Sequence, residues 1–276
     1  MNAVAAIDIG NTRAKFGLIS DPALGPVGEV TATVLEDGQS LPDQLLAWWH
    51  STAAGRACSC VIAGSDPDCR DQLLQNWPVA LPQPLVIRSG SQIPVHADVD
   101  YPSRVGIDRL LNAYAAQFLL TTDQAAIIVD SGTATTVDLV TPGPVFRGGS
   151  ILPGLRLAAR ALHDYTARLP LVDVDESLTQ LPVLPGRNTE DAIMAGLFLG
   201  QLGAVREIVS GLQNALHVIA PQCGSPRLII SGGGGRQLTS HLPNAFFADS
   251  LALHGLAWLA HQQGAAHRHV CRISAH

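Results

Sequence analysis

The sequence predicts a duplicated α/β fold with a cleft between its halves, and three observations carry that prediction. The stretch Ile127–Leu139, IIVDSGTATTVDL, runs three apolar residues into Asp130, turns at Ser131-Gly132-Thr133 and leaves rich in β-branched residues. That is the pattern of strand, tight turn and strand. A second stretch, Val4–Ile19, VAAIDIGNTRAKFGLI, is built the same way: Asp8 and Gly10 stand as Asp130 and Gly132 do, with Thr12 one place further along than Thr133. In each half the strands precede helix, the order of a layered α/β domain. The boundary falls near residue 120, giving domains at 1–120 and 121–262 and a tail at 263–276.

The elements follow in order. After the first hairpin, Gly28–Val34 alternates as a third strand, Leu41–Ser51 reads as helix, and Cys58–Ala63 is apolar enough for a buried strand. Gln72–Trp77 reads as a short helix, with Leu85–Ile87 and Pro94–Val99 as strands among prolines. A loop from Tyr101 leads into a helix from Ile107, where Leu110, Leu111, Tyr114 and Phe118 keep helical spacing. Asp108 then sits in the first turn, where the helix dipole favours a carboxylate. The second half adds the Asp130 hairpin, a strand at Val145–Ile151 and a helix at Leu155–Leu162. Asp173–Pro185 reads as loop. A long helix follows Thr189, capped by Thr189-Glu190-Asp191 and striped by Val205, Ile208, Val209, Leu212 and Leu216. Arg227–Ser231 is a strand leading into Gly232–Gly235 and a short helix, and Leu251–Ala260 closes the fold.

Composition bounds the function. The chain has 276 residues, 47% hydrophobic and 14% charged, with a net charge of −6. That supports a sizeable core and argues against nucleic-acid binding. Five cysteines, Cys58, Cys60, Cys69, Cys223 and Cys271, have no disulfide spacing. No basic leader and no uninterrupted membrane-length span is expected, so the reading is cytoplasmic, with no membrane partner.

Two Asp-x-Gly turns with a threonine close behind suggest a metal–nucleotide site. The glycines allow backbone N–H groups near a polyphosphate, and the carboxylates need a cation between themselves and it. One copy alone is an ordinary hairpin; two raise the odds. Neither is a Walker A sequence, and GxSxG is absent. Gly232–Gly235 reads either as a flexible turn or as a loop that lets a base or ribose approach the backbone. Gly106-Ile107-Asp108-Arg109 combines a candidate base with a carboxylate-binding fork, against the plainer reading of a surface ion pair. The histidines His254, His261, His267 and His269 with Cys271 match no zinc spacing.

The motifs together resemble type III pantothenate kinase, of the actin/Hsp70/sugar-kinase superfamily. The likeness runs from Val4 to about Trp258 through DIGNT at Asp8–Thr12, VGIDR at Val105–Arg109 and DSGTATT at Asp130–Thr136. It continues through GGSILPG at Gly148–Gly154, LHDYTARLP at Leu162–Pro170, NTEDAIMAG at Asn188–Gly196 and SGGGG at Ser231–Gly235. The resemblance implies two ribonuclease-H-like halves, a homodimer, and ATP-dependent phosphorylation of pantothenate at the start of coenzyme A synthesis. It implies that Asp8, Ile9, Gly10, Asn11, Thr12, Arg13, Ala14 and Lys15 wrap the nucleotide phosphates, Asp8 facing Mg2+, with Thr133 also touching ATP. Asp108 would be the base. Gly106, Ile107, Asp108 and Arg109 would line the pantothenate pocket, with Arg109 on the carboxylate. Asp130 would ligate a monovalent cation, K+ or NH4+, and Thr189 would touch substrate across the dimer, whose interface would bury much of Val205–Leu216 or its neighbours. Tyr101 lies nearer the GxDR glycine than the family's pantothenate-contacting tyrosine usually does, His163 is a further substrate candidate, and Ala63–Pro67 departs from the family's serine-valine-valine-proline pattern.

Two rivals remain at this level. One is an accessory transcription factor of the same family without kinase activity. The other is a different phosphotransferase of the superfamily, acting on a sugar or acetate, or a phosphatase.

Overall fold

The computed structural model describes residues 3–19, 30–34, 40–53, 58–174 and 181–273, the side chains of 32–34 and 264–273 excepted. Strands β1 (Ala3–Ile9) and β2 (Arg13–Ile19) form the first hairpin, with Asp8 opposite Lys15 and Ile9 opposite Ala14. Alternation decides which side chains enter the core. Ala5, Ile7 and Ile9 share a buried cluster with Ala14, Phe16 and Leu18, so Asp8 and Lys15 fall on the other face. β3 (Val30–Val34) pairs with β2; residues 28 and 29 of the expected strand lie outside the described residues. Helix α1 (Leu41–Trp48), prolonged by a π turn at Trp49–Ala53, lays Leu45 and Trp48 into that cluster, with Trp48 5.6 Å from Phe16 ring to ring.

β4 (Cys58–Gly64) runs parallel to β1. Helix α2 (Pro67–Gln75) starts well before the expected Gln72, because Asp66 caps it, accepting the Cys69 N–H at 3.0 Å, and Pro67 opens its first turn. β5 (Pro84–Val86) completes a sheet ordered β3-β2-β1-β4-β5. The strand expected over Pro94–Val99 shrinks to β6 (His96–Ala97), which joins the second sheet. Helix α3 (Ile107–Ala116) begins where its periodicity predicts but stops before Phe118, which falls in a 3-10 turn at Gln117–Leu119.

The second sheet contains β7 (Ala126–Ser131), β8 (Ala134–Thr141) and β9 (Val145–Pro153). Helices α4 (Leu155–Asp164) and α5 (Thr189–Ile219) follow, then β10 (Arg227–Ser231), helix α6 (Gly235–Thr239) and β11 (Phe246–Phe247). The strand order is β11-β10-β7-β8-β9-β6. Apart from β6 this repeats the first sheet: two antiparallel pairings on one side of the leading strand and two parallel ones on the other. The duplication expected from the two Asp-x-Gly hairpins is present in the topology.

Helix α5 carries Ile193, Phe198, Leu202, Val205, Val209 and Leu216 into the core of the second sheet. Val205, Val209 and Leu216 therefore belong to the chain's own core, not to a free surface. The cap of α5 is Asn188, one residue before the expected Thr189; its Oδ1 accepts the Asp191 N–H at 2.8 Å. This 31-residue helix is also long and apolar enough, by length and composition, to cross a membrane, contrary to the expectation that no span qualifies. One face of it, with Phe198, Leu202 and Val205, is buried against the second sheet.

Helix α7 (Leu251–Ile273) packs against β1, β2 and β4 and runs through most of the residues read as a tail. The chain accordingly divides differently from a single cut near residue 120. One compact unit takes Met1–Pro94, Tyr101–Ala115 and Ser250–His276, and the other takes Val95–Asp100 and Ala116–Asp249.

Candidate active site

In the first unit the turn after β1 is closed by the Gly10 N–H donating to Arg13 O at 2.9 Å. Gly10 fits closely there: a Cβ would lie 3.1 Å from Arg13 O, and the turn would have to give by a few tenths of an ångström to admit it. Asp8 and Lys15 face each other across the hairpin and are half-buried, Thr12 and Arg13 likewise, and Asn11 is exposed. Ile9 and Ala14 are fully buried, so of the expected nucleotide-wrapping set these two can offer a ligand only their backbone. In the second unit the equivalent turn is closed by the Gly132 N–H donating to Ala134 O at 3.0 Å. Asp130 pairs with Thr136 and, in parallel, with Ser231; Thr133 is exposed at the tip. The first turn is one residue longer, which accounts for Thr12 standing one place later than Thr133.

Each turn is braced by the end of the strand parallel to it. Gly64, last residue of β4, lies against Ile9: a Cβ there would sit 2.6 Å from Ile9 O and 2.8 Å from Ile9 Cβ. Asp66 N–H then donates to Ile9 O at 3.4 Å. The segment Ala63–Pro67 thus braces the first turn, a role that the sequence signals only through Asp66-Pro67, a cap followed by proline. In the second unit Gly232, at φ +86°, lies against Ser131 and Asp130, and the Gly234 N–H donates to Ser131 O at 3.0 Å. A Cβ on Gly234 would meet Ser131 Oγ at 2.6 Å, and one on Gly235 would meet Phe247 at 2.9 Å. Packing within the unit therefore explains three of the four glycines in the SGGGG run. Gly154, ahead of α4, completes the brace by donating its N–H to Thr133 O at 3.0 Å.

The GxDR motif sits at the entry to α3. Asp108 Oδ1 accepts the Arg109 N–H at 2.9 Å, which folds the carboxylate back over Gly106. A Cβ on Gly106 would lie 2.4 Å from that oxygen, so the glycine is what lets Asp108 adopt this pose. Ile107, Asp108 and Arg109 are half-buried. Tyr101 is exposed, with the Arg104 guanidinium 4.7 Å above its ring. Thr189 is exposed on the first turn of α5. His163 is exposed, and its Nδ1 is bonded to Leu169 O at 2.9 Å, where it ties down the loop after α4.

The first unit thus holds Asp8 to Lys15, Tyr101 and Gly106 to Arg109; the second holds Asp130, Thr133 and Thr189. Among the described residues no group of three or more His, Cys, Asp or Glu is placed to cage a metal.

The sequence comparisons with known proteins agree with one another. The family model described as type III pantothenate kinase matches residues 4–211. A type III pantothenate kinase of Albidiferax ferrireducens is 32% identical over 264 residues, covering 92% of this chain and 96% of that one. Another, of Dehalococcoides mccartyi, is 30% identical over 236 residues, 84% and 86% of the two chains. Among solved structures, a protein provisionally assigned as a Baf family transcriptional activator of Campylobacter jejuni aligns with TM-score 0.59 and 18% identity, covering 95% of this chain and 99% of that one. A provisionally assigned 2-dehydro-3-deoxygalactonokinase of Sinorhizobium meliloti aligns with TM-score 0.52 and 13% identity, covering 93% and 98%. At those identities the structures speak for the fold alone. The extent of the sequence match decides the family: this chain belongs to the type III pantothenate kinases.

Proposed function

We infer that this kinase transfers the γ-phosphoryl group of ATP to the primary hydroxyl of pantothenate, giving 4'-phosphopantothenate, the first step of coenzyme A biosynthesis. The observation that carries the reading is the duplicated Asp-x-Gly hairpin, braced alike in both units, in a chain of this family. Magnesium on the phosphates supplies charge neutralisation, which dominates phosphoryl transfer through a loose transition state. Asp8 is the residue to face it, with the backbone from Gly10 to Lys15 along the phosphates and Thr133 as a further nucleotide contact. Asp130 holds a monovalent cation, K+ or NH4+.

Asp108 takes the proton of the attacking hydroxyl. Its pose, fixed by Arg109 N–H and permitted by Gly106, keeps the carboxylate at the mouth of α3. Arg109 offers the planar fork that suits the pantothenate carboxylate. Tyr101 and Ile107 line the same pocket, and Thr189 reaches it from a second subunit. A homodimer is the working assembly, in the cytoplasm. With Val205, Val209 and Leu216 buried internally, the surface available for pairing includes the exposed Leu171, Leu181, Val183 and Leu184, which precede α5.

A coupled ADP-release assay over pantothenate, sugars and acetate tests the reaction. Release with pantothenate is expected. Release with a sugar or acetate but none with pantothenate would move the chain to another branch of the superfamily. Sedimentation at micromolar concentration tests the assembly: a fully active monomer would remove Thr189 from the site.

A further inference from the structure

The buried face of α5 is apolar except at one position. Gln201 is 8% exposed among Phe198, Leu202 and Val205, and its Nε2 donates to Thr135 Oγ1 at 2.7 Å across 66 positions of sequence. Thr135 is fully buried. The other end of the amide, Oε1, is buried with no hydrogen-bond partner. An unpaired buried acceptor destabilises a fold, and an apolar pair of similar shape would fill the same space without that penalty. Stability therefore does not explain the pair.

Its place in the sheet does. Thr135 is the second residue of β8, opposite Ser131 on β7 and Leu152 on β9. It leaves the turn that carries Thr133. That turn is held from one side by Gly234 N–H on Ser131 O and from another by Gly154 N–H on Thr133 O. Gln201 adds a third hold, from the core face that Thr135 shares with Val137 and Leu139. Resting on the kinase reading above, we propose that Gln201 is a positioning residue: from α5 it fixes the start of β8 and so sets the Ser131–Thr133 turn for the nucleotide phosphates.

The full-length protein with Gln201→Met or Thr135→Val tests this, each compared with Thr135→Ser, which keeps the hydroxyl. Affinity for Mg–ATP is read by titration calorimetry, which needs no acceptor, so a failure of the pantothenate assignment leaves this measurement intact. Both apolar variants should bind Mg–ATP about five- to tenfold more weakly, the worth of one neutral hydrogen bond. The KM for pantothenate should stay within about twofold, and Tm should not fall in the double variant Gln201→Met with Thr135→Val, which removes the orphan acceptor and leaves neither partner of the bond unpaired. Thr135→Ser should bind ATP as the wild type does. The double variant should be no worse than either single one, since both remove the same bond. Unchanged ATP affinity in Gln201→Met overturns the proposal. So does a fall in Tm with equal loss of affinity for both substrates, which marks a merely structural contact.

Discussion

Gly232→Ala puts the bracing of the second turn to a quantitative test. Two separate strains meet at that position. The backbone is at φ +86°, and a Cβ would lie 2.4 Å from Ser131 O, 2.5 Å from Asp130 Oδ1 and 2.6 Å from Ser131 C. Two of those atoms are backbone of Ser131, the last residue of β7, which its pairing with Thr135 and the Gly234 N–H hold in place. Other glycines separate the strains. Gly143 has φ +103° with ordinary space around it, its nearest neighbour being Val145 Cγ2 at 3.8 Å. Gly64 has no positive φ but a Cβ would sit 2.6 Å from Ile9 O. Left-handed backbone costs a non-glycine residue about 1–2 kcal/mol, and overpacking costs about 1–3 kcal/mol. Reduced freedom of the unfolded chain returns about 0.4–1 kcal/mol in each case.

Gly143→Ala should therefore lose about 1 kcal/mol or less, and Gly64→Ala up to about 2 kcal/mol. Gly232→Ala should lose about 2–4 kcal/mol. At roughly 3 °C per kcal/mol for a protein of this size, the last corresponds to a fall in Tm of about 6–12 °C. Calorimetry on the three variants orders them. Because the clash includes the Asp130 carboxylate, Gly232→Ala should also weaken ATP binding and cation activation at a temperature where it is still folded, with the KM for pantothenate little changed. If Gly232→Ala unfolds within about 2 °C of Gly143→Ala, the loop after β10 does not rest on β7 as described.

Asp108→Asn should lower kcat by roughly 10²–10⁴-fold, the usual worth of a positioned base, with pantothenate binding largely kept; Asp8→Asn should instead weaken Mg–ATP, and separate titrations tell them apart. Near-wild-type turnover in Asp108→Asn would reduce Asp108 to a helix-start carboxylate. Activity should require potassium or ammonium besides magnesium, and full activity in rigorously potassium- and ammonium-free sodium buffer would remove the cation from Asp130. Stability should fall in alkali: burial, with Cys58 beside it, pushes the Cys60 thiol from 9.0 up to about 12. The folded chain keeps a proton that the unfolded chain releases above pH 9, so each further pH unit up to about 12 removes on the order of 1 kcal/mol. Cys60→Val should flatten that decline in Tm, and an unaltered slope would place its source elsewhere.

What was legible in the sequence was what local pattern controls. Both hairpins, β4, β9 and β10 are apolar or alternating runs bounded by turn residues, and the motif spacing even registered the extra residue in the first turn. Helix α2 was misplaced because Asp68, Cys69, Arg70 and Asp71 hide its periodicity, although Asp66-Pro67 announces its start. Pro94–Val99 could not be a full strand, since what pairs with it is one edge of the second sheet over two residues. The bracing contacts were illegible for a different reason. Gly64 on Ile9, Gly154 on Gly132 and Thr133, and Gln201 on Thr135 join residues far apart in the chain, and nothing in the local composition marks them. The SGGGG run misleads in the opposite sense, because packing against β7 and Phe247 already demands three of its glycines.

Those braces bear on the chemistry. A hairpin tip exposes carbonyl oxygens as readily as N–H groups, and a carbonyl facing a phosphate repels it. In the second turn Ser131 O is taken by Gly234 N–H, Thr133 O by Gly154 N–H and Ala134 O by Gly132 N–H. In the first, Ile9 O is taken by Asp66 N–H and Arg13 O by Gly10 N–H. Each of those carbonyls is engaged within its own unit before any ligand arrives. The same bonds hold the turns in place, so little ordering would remain for a polyphosphate bound there as proposed. Two different sequences, a capped Asp66-Pro67 loop after β4 and a glycine loop after β10, reach this result at equivalent places of a duplicated sheet. On the proposed function both loops meet one need, since each draws carbonyls away from the place where an anion would lie.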